Sequence, residues 1–165
     1  MSPRRPTGRL FDKDLELTRT YRAPIDDVWA SVTEPERTAR WFGRWEGDAG
    51  PGRTIKVQMA FEENAPWIEL RIDACEPPRR LAVSGSEASG GWRMELLLAE
   101  RGDTTELTFV HHLDSVDNVG EVGPGWEYYL DLLTAAREGT AQPTSFEEYY
   151  PAMKDYYAGL VGPQR

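Results

Sequence analysis

Cysteine and histidine are scarce in this chain, with one Cys and two His among 165 residues. A solitary Cys75 forms neither an intramolecular disulfide nor a cysteine zinc site, which fits a reducing compartment and makes the cytoplasm the expected location. His111 and His112 are adjacent, and neighbouring residues on a strand face opposite ways, so they cannot chelate one metal together. No metal and no cofactor is expected. No apolar run approaches the ~20 residues that span a bilayer, and the longest, around 96–99, is of strand length, so no membrane span is expected. Net positive charge is missing too: 28 acidic against 19 basic side chains leave −9, which disfavours nucleic acid as a partner. Arg4, Arg5 and Arg9 form the one basic cluster, without the apolar stretch of roughly 7 to 15 residues that follows in a signal peptide. Residues 1–14 are read as a disordered basic tail.

Recognisable catalytic motifs are also lacking. Ser84, Ser86 and Ser89 sit in a small-residue turn with no Gly-x-Ser-x-Gly elbow. The glycines of 43–52 are not followed by Gly-Lys-Ser/Thr, so they make no phosphate loop. Cys75 has no cationic neighbour in sequence nearer than Arg79 to activate its thiol. Glu69 and Asp73 alternate with Arg71 as a solvated sheet face does, and Glu62 and Glu63 sit at a strand end. No pair of acids stands out as general acid and base, and the reading leans away from an enzyme.

What is abundant is aromatic side chain: six Trp, seven Tyr and five Phe. That is enough to fill one core, and a chain of about 150 residues can bury ~70% of its unfolded surface. Residues 15–22 alternate with a period of two, as a half-buried strand does. Ala23-Pro24 opens a helical stretch carrying Ile25, Val28, Trp29 and Val32, and Thr33 with Glu36 suggests a capping box for a second short helix ending near Trp41-Phe42. After a glycine-rich loop, alternation resumes over 55–61 and over 68–74, where Ile68, Leu70, Ile72 and Ala74 share one parity. The turn between them is placed at Asn64-Ala65-Pro66. Leu81 and Val83 carry a short strand. Trp92, Met94, Leu96 and Leu98 share one face of the next, and Leu107, Phe109 and His111 one face of the last. Short connections make this an antiparallel meander.

From Pro124 to Glu138 the period becomes helical, with Trp126, Tyr129, Leu130, Leu133 and Ala136 in one stripe, Pro124 at the start and Gly139 past the end. Such a helix is roughly 22 Å long. Beyond it, Ser145 and Glu148 form another capping-box candidate. Tyr149, Met153, Tyr156 and Leu160 recur at helical spacing, so 140–165 is read as an extension with a short helix or helices docked on a domain of 15–139.

Ala23-Pro24 with Val28-Trp29, Trp41-Phe42, 76–81, 102–108 with His111, and Gly125-Trp126 with Leu130 and Leu133 occur in an order that resembles the activator of heat-shock-protein-90 ATPase homologue family, of the START-like (SRPBCC, polyketide cyclase-like) superfamily. The resemblance spans about 16–138. It implies an α+β helix-grip (START-like) fold: a curved antiparallel sheet of six to seven strands wrapped on a long C-terminal helix, with two short helices after strand 1. It also implies an apolar cavity between helix and sheet that binds a hydrophobic molecule. The additional N-terminal domain of the eukaryotic cochaperone has no counterpart before the first strand, which argues against activation of a chaperone ATPase.

The cavity candidates are Trp41, Phe42, Met59, Phe61, Trp92, Met94, Phe109, His111, Trp126 and Tyr129, because ligand pockets are mostly apolar with few polar anchors. His111 or Tyr129 would be that anchor. The leading reading is a binder of a small hydrophobic molecule. The alternatives are a cyclase or dehydratase using His111 and a tyrosine on a polyketide-like substrate, and a chaperone-associated interaction module. The extension after Gly139 either caps the cavity or contributes to a homodimer contact.

Overall fold

The computed structural model describes residues 6–59, 64–85, 92–143 and 146–161. Eight strands form one antiparallel sheet: β1 (Arg9–Phe11), β2 (Asp14–Tyr21), β3 (Trp45–Glu46), β4 (Thr54–Gln58), β5 (Trp67–Glu76), β6 (Arg80–Gly85), β7 (Arg93–Arg101) and β8 (Thr104–His112). Their order is β1-β2-β8-β7-β6-β5-β4-β3. Two short helices, α1 (Ile25–Thr33) and α2 (Pro35–Thr38), follow β2, and the long α3 (Val119–Glu138) follows β8. A 3₁₀ turn (Phe146–Glu148) and α4 (Lys154–Leu160) complete the chain. This is the helix-grip architecture.

The sheet has eight strands where six to seven are read from the pattern. The two extra ones, β1 and β3, are three and two residues long, too short to show alternation. They are the outermost strands at either edge, where short strands limit pairing with other chains. β1 also corrects the reading of 1–14 as wholly disordered, because Leu10 pairs with Leu15 across a tight turn.

β5 departs from strict alternation. Ile72 pairs with Val83 but Ala74 pairs with Ala82, so Asp73 is an extra residue in a β-bulge. Beyond a bulge the parity of a strand reverses. Cys75, paired with Leu81, therefore shares the inner face with Leu70 and Ile72, and Ala74 does not.

The Thr33/Glu36 capping box does not form. Glu34 is the N-cap of α2 without a side-chain cap bond, and Pro35 sits in the first turn. The Thr33 hydroxyl instead donates back to the Trp29 carbonyl at 2.8 Å, the local alternative open to a threonine near a helix end. Ser145, which the second capping box requires, and Phe61 lie outside the described residues.

α3 starts at Val119, not Pro124, and its 20 residues span about 30 Å. Pro124 sits in its second turn, where the ring removes one hydrogen bond to Gly120. Gly139, at φ 68°, ends the helix in the left-handed conformation. One stripe of α3, with Trp126, Leu130 and Leu133, packs on the sheet. Its other side is covered as well, because Tyr149, Met153 and Tyr157 of the extension are buried. Gly123 permits this contact, since a Cβ there would overlap the Tyr157 ring.

Glu127, 1% exposed, lies under that covering. Its carboxylate accepts from the Tyr157 hydroxyl at 2.5 Å, the Thr7 hydroxyl at 2.7 Å and Arg19 Nη2 at 2.9 Å. Gly8 donates its N–H to the Tyr157 hydroxyl at 3.1 Å, and its carbonyl accepts from Tyr156 at 2.7 Å. One buried carboxylate thus ties the N-terminal segment, β2, α3 and α4 together. Burial and the neighbouring carboxylate hold the Tyr157 phenol protonated, far above its ordinary pKa.

Candidate functional site

Between the inner face of the sheet and α3 lies a cavity of about 150 Å³. β4 and β5 contribute Ile55, Val57, Leu70 and Ile72 to its wall, and β6 to β8 contribute Val83, Met94, Leu96 and Phe109. The α1–α2 segment and the turn after it add Val32, Trp41 and Phe42, β3 adds Trp45, and α3 adds Trp126. Cross-strand pairing of Val83 with Met94 and of Leu96 with Phe109 sets these side chains in rows. The wall is almost entirely apolar.

Two indoles anchor the mouth. Trp41 Nε1 donates to the Ser31 carbonyl at 2.9 Å and Trp45 Nε1 to the Thr33 carbonyl at 2.8 Å. Both carbonyls belong to the last turn of α1 and have no helical partner of their own. The rings can therefore face the cavity while their polar atoms are satisfied. Gly43 then brings the chain against β4, where a Cβ would overlap the Gln58 carbonyl oxygen. Phe42 follows from this placement: its ring lies 6.3 Å from Trp126, nearly parallel, and 5.7 Å edge-on from Tyr129.

Of the ten cavity candidates, Trp41, Phe42, Met94, Phe109 and Trp126 line the wall. Met59 and Tyr129 are buried in the core beside it, and Trp92 is 38% exposed with its ring 6.1 Å from Trp126. These and His111 are not part of the wall. Leu81 and Cys75 line it too, and Cys75 is not legible from the alternation because the β5 bulge that turns it inward leaves no mark there. Burial pushes the Cys75 thiol up, toward an inert, protonated side chain.

His111 is buried and its Nδ1 accepts a hydrogen bond from Trp126 Nε1 at 3.1 Å. A donor at Nδ1 fixes the neutral ring with its proton on Nε2. Burial lowers its pKa to about 4, with His112 and Arg93 adding to the effect and Asp114 opposing it. His111 therefore braces Trp126 and does not reach the cavity as its polar anchor. His112, on the opposite face, bridges Asp14 at 2.7 Å and Glu95 at 2.6 Å. Burial alone would lower the His112 pKa, but these two hydrogen bonds outweigh it and raise the pKa. Glu95 also accepts from Arg80, and the two partners outweigh its burial and hold it below the usual carboxylate range.

The two histidines act on stability with opposite signs. His111 is depressed in the fold, so its contribution of roughly 3 kcal/mol is complete above its unfolded value near 6.5 and is lost as pH falls through about 4. His112 is raised, so its contribution is complete below about 6.5 and lost as pH rises through its folded pKa. Urea denaturation between about pH 7 and pH 4.5 is expected to show falling stability, with a shallower fall in His111→Gln, which needs no proton. Equal slopes in the two proteins would contradict this assignment.

The family described as Activator of Hsp90 ATPase homolog 1-like protein matches residues 22–138. The chain belongs to this family. Among solved structures, CalU16 from Micromonospora echinospora is 31% identical, with TM-score 0.75 over 95% of this chain and 96% of that one. The protein encoded by gene BPP1335 of Bordetella parapertussis is 25% identical, with TM-score 0.76 over 95% and 91% of the two chains. DynU16, from the dynemicin biosynthetic locus, is 22% identical with TM-score 0.66, over 78% of this chain and 49% of that one, and shares the fold. No curated protein matches. The likeness to CalU16 covers more of the chain than the family match does, so it takes in segments beyond the 22–138 core. The cavity-lining residues from Val32 to Trp126 all fall inside the span that defines the Activator of Hsp90 ATPase homolog 1-like family.

Proposed function

We propose that this Activator of Hsp90 ATPase homolog 1-like protein binds a small hydrophobic molecule in the cavity between its sheet and α3. The observation that carries this reading is the cavity itself: about 150 Å³ of space walled by Phe42, Met94, Phe109 and Trp126 in an otherwise packed core. An apolar cavity of about this size holds a benzene-sized ring and stays dry when empty. The ligand is accordingly of one-ring size, or a larger molecule with a ring buried there. Burial supplies the affinity, at ~25 cal/mol per Å² before association costs.

A proton-shuttling enzyme built on His111 gains no support, because the Nδ1 that would serve as base already accepts from Trp126. Among the described residues no cluster of His, Cys, Asp and Glu suits a metal, and no helix is long and apolar enough to cross a membrane. The test is native mass spectrometry of the protein purified from its host, followed by thermal-shift screening against lipids, flavonoids and polyketides. A co-purifying apolar molecule or a saturable rise in Tm is expected. A bare mass together with a flat screen would count against the reading.

A further inference from the structure

We propose that a second, polar pocket between α1, α2 and the last turn of α3 binds a small oxyanion, a phosphate or a carboxylate group. This pocket has a volume of about 260 Å³, and Trp41 separates it from the apolar cavity as the one side chain common to both walls. Arg37, Arg40 and Arg137 face it, against a single carboxylate, Asp27. In a chain of net charge −9 such a surplus of guanidinium groups is a local reversal of sign.

Asp27 does not neutralise them all. Its two oxygens are already engaged, Oδ2 by Arg137 Nη2 at 2.8 Å and Oδ1 by Arg37 Nη1 at 3.1 Å. These bonds fix the two guanidinium groups in place and pull the Asp27 pKa down. Glu34, 3.7 Å from Arg37 Nε, is not part of the pocket wall. Arg40 is exposed and pairs with no carboxylate among the described residues. Arg137 is held by Ser31 Oγ at 2.6 Å as well, and its side chain is only 10% exposed. Its Nε is buried with no hydrogen-bond partner among the described residues.

Asp27 balances one of the three guanidinium charges on the pocket wall, and an oxyanion in the pocket balances another. Planar guanidinium forks match the paired oxygens of phosphate and carboxylate, and prior ordering of Arg37 and Arg137 by Asp27 lowers the side-chain entropy cost of binding. The role is separate from that of the apolar cavity and stands if the cavity proves empty.

The test is a titration of the full chain with inorganic phosphate, and separately with acetate, at ionic strength held constant with chloride. Arginine Nε–H and Trp41 indole N–H resonances are followed by NMR. Saturable shifts at Arg37, Arg40 and Arg137 are expected with at least one anion, and the anion that saturates identifies the group. Arg40→Gln, at an exposed position, is expected to keep the fold and to weaken binding about tenfold, the loss of one charge-assisted contact. Shifts that never saturate with either anion would overturn the proposal, as would equal affinity in Arg40→Gln.

Discussion

Replacing Glu127 by Ala is expected to destabilise the protein by about 3–5 kcal/mol, the range for removing one partner from a buried ion pair. Glu127 is 1% exposed, and Arg19 opposite it has a side chain 13% exposed. With the carboxylate gone, Arg19 keeps Asp131 at 3.2 Å, but the Tyr157 hydroxyl loses its charged acceptor in a buried place. The Thr7 N–H and hydroxyl lose their acceptor at the same time. Glu127→Gln keeps an acceptor oxygen and is expected to cost less than Glu127→Ala. Urea denaturation measures both, and hydrogen exchange should rise across α4 in the Ala variant. A loss within about 1 kcal/mol would show that the cluster is worth no more than a solvated pair.

Trp126→Ala should cost a similar 3–5 kcal/mol, the range for emptying a large aromatic site in a core. The Trp126 ring lies 4.2 Å from Phe109, 5.6 Å from Tyr129 and 6.1 Å from His111. Its removal opens the cavity toward the space it held and leaves the buried His111 Nδ1 without its donor. Trp126→Phe separates the two effects, since it keeps most of the apolar surface and removes only the N–H. In that variant burial still holds the His111 pKa down, and a modest rise is expected because the indole no longer donates to Nδ1 and so no longer opposes protonation there. An NMR titration of His111 reads this directly, and an unchanged pKa would mean that the indole hydrogen bond does not contribute to it.

Much of this architecture is legible in the sequence because it rests on periodicity. The alternation of Leu107, Phe109 and His111 and the stripe of Trp126, Leu130 and Leu133 are imposed by burial on one face, so they survive in the order of residues. The cavity side of Met94 and Phe109 follows from the same parity. What escaped has no periodic trace. A bulge at Asp73 adds one residue and swaps Cys75 for Ala74 on the inner face. Glu127 reads as a solvent-facing charge on an amphipathic helix, and only the docking of Tyr157 from 30 residues further on makes it the centre of a buried network. The Arg137 pocket is likewise assembled from partners 110 residues apart in the chain. His111, facing inward as its parity implies, turned out to serve Trp126 and not the cavity, because the nearest donor to its ring is an indole.

Whether the space under α3 is a working binding cavity is tested most directly by an NMR titration of wild type and Val83→Phe with toluene. Val83 lines the cavity opposite Met94, so a phenyl group there fills the space that the ligand needs. In the wild type, saturable shifts of the Met94 methyl, Phe42 and Trp126 resonances are expected, and in Val83→Phe they should vanish while urea stability stays within about 1–3 kcal/mol. No saturable shift in the wild type, or equal binding in the filled variant, would contradict the account.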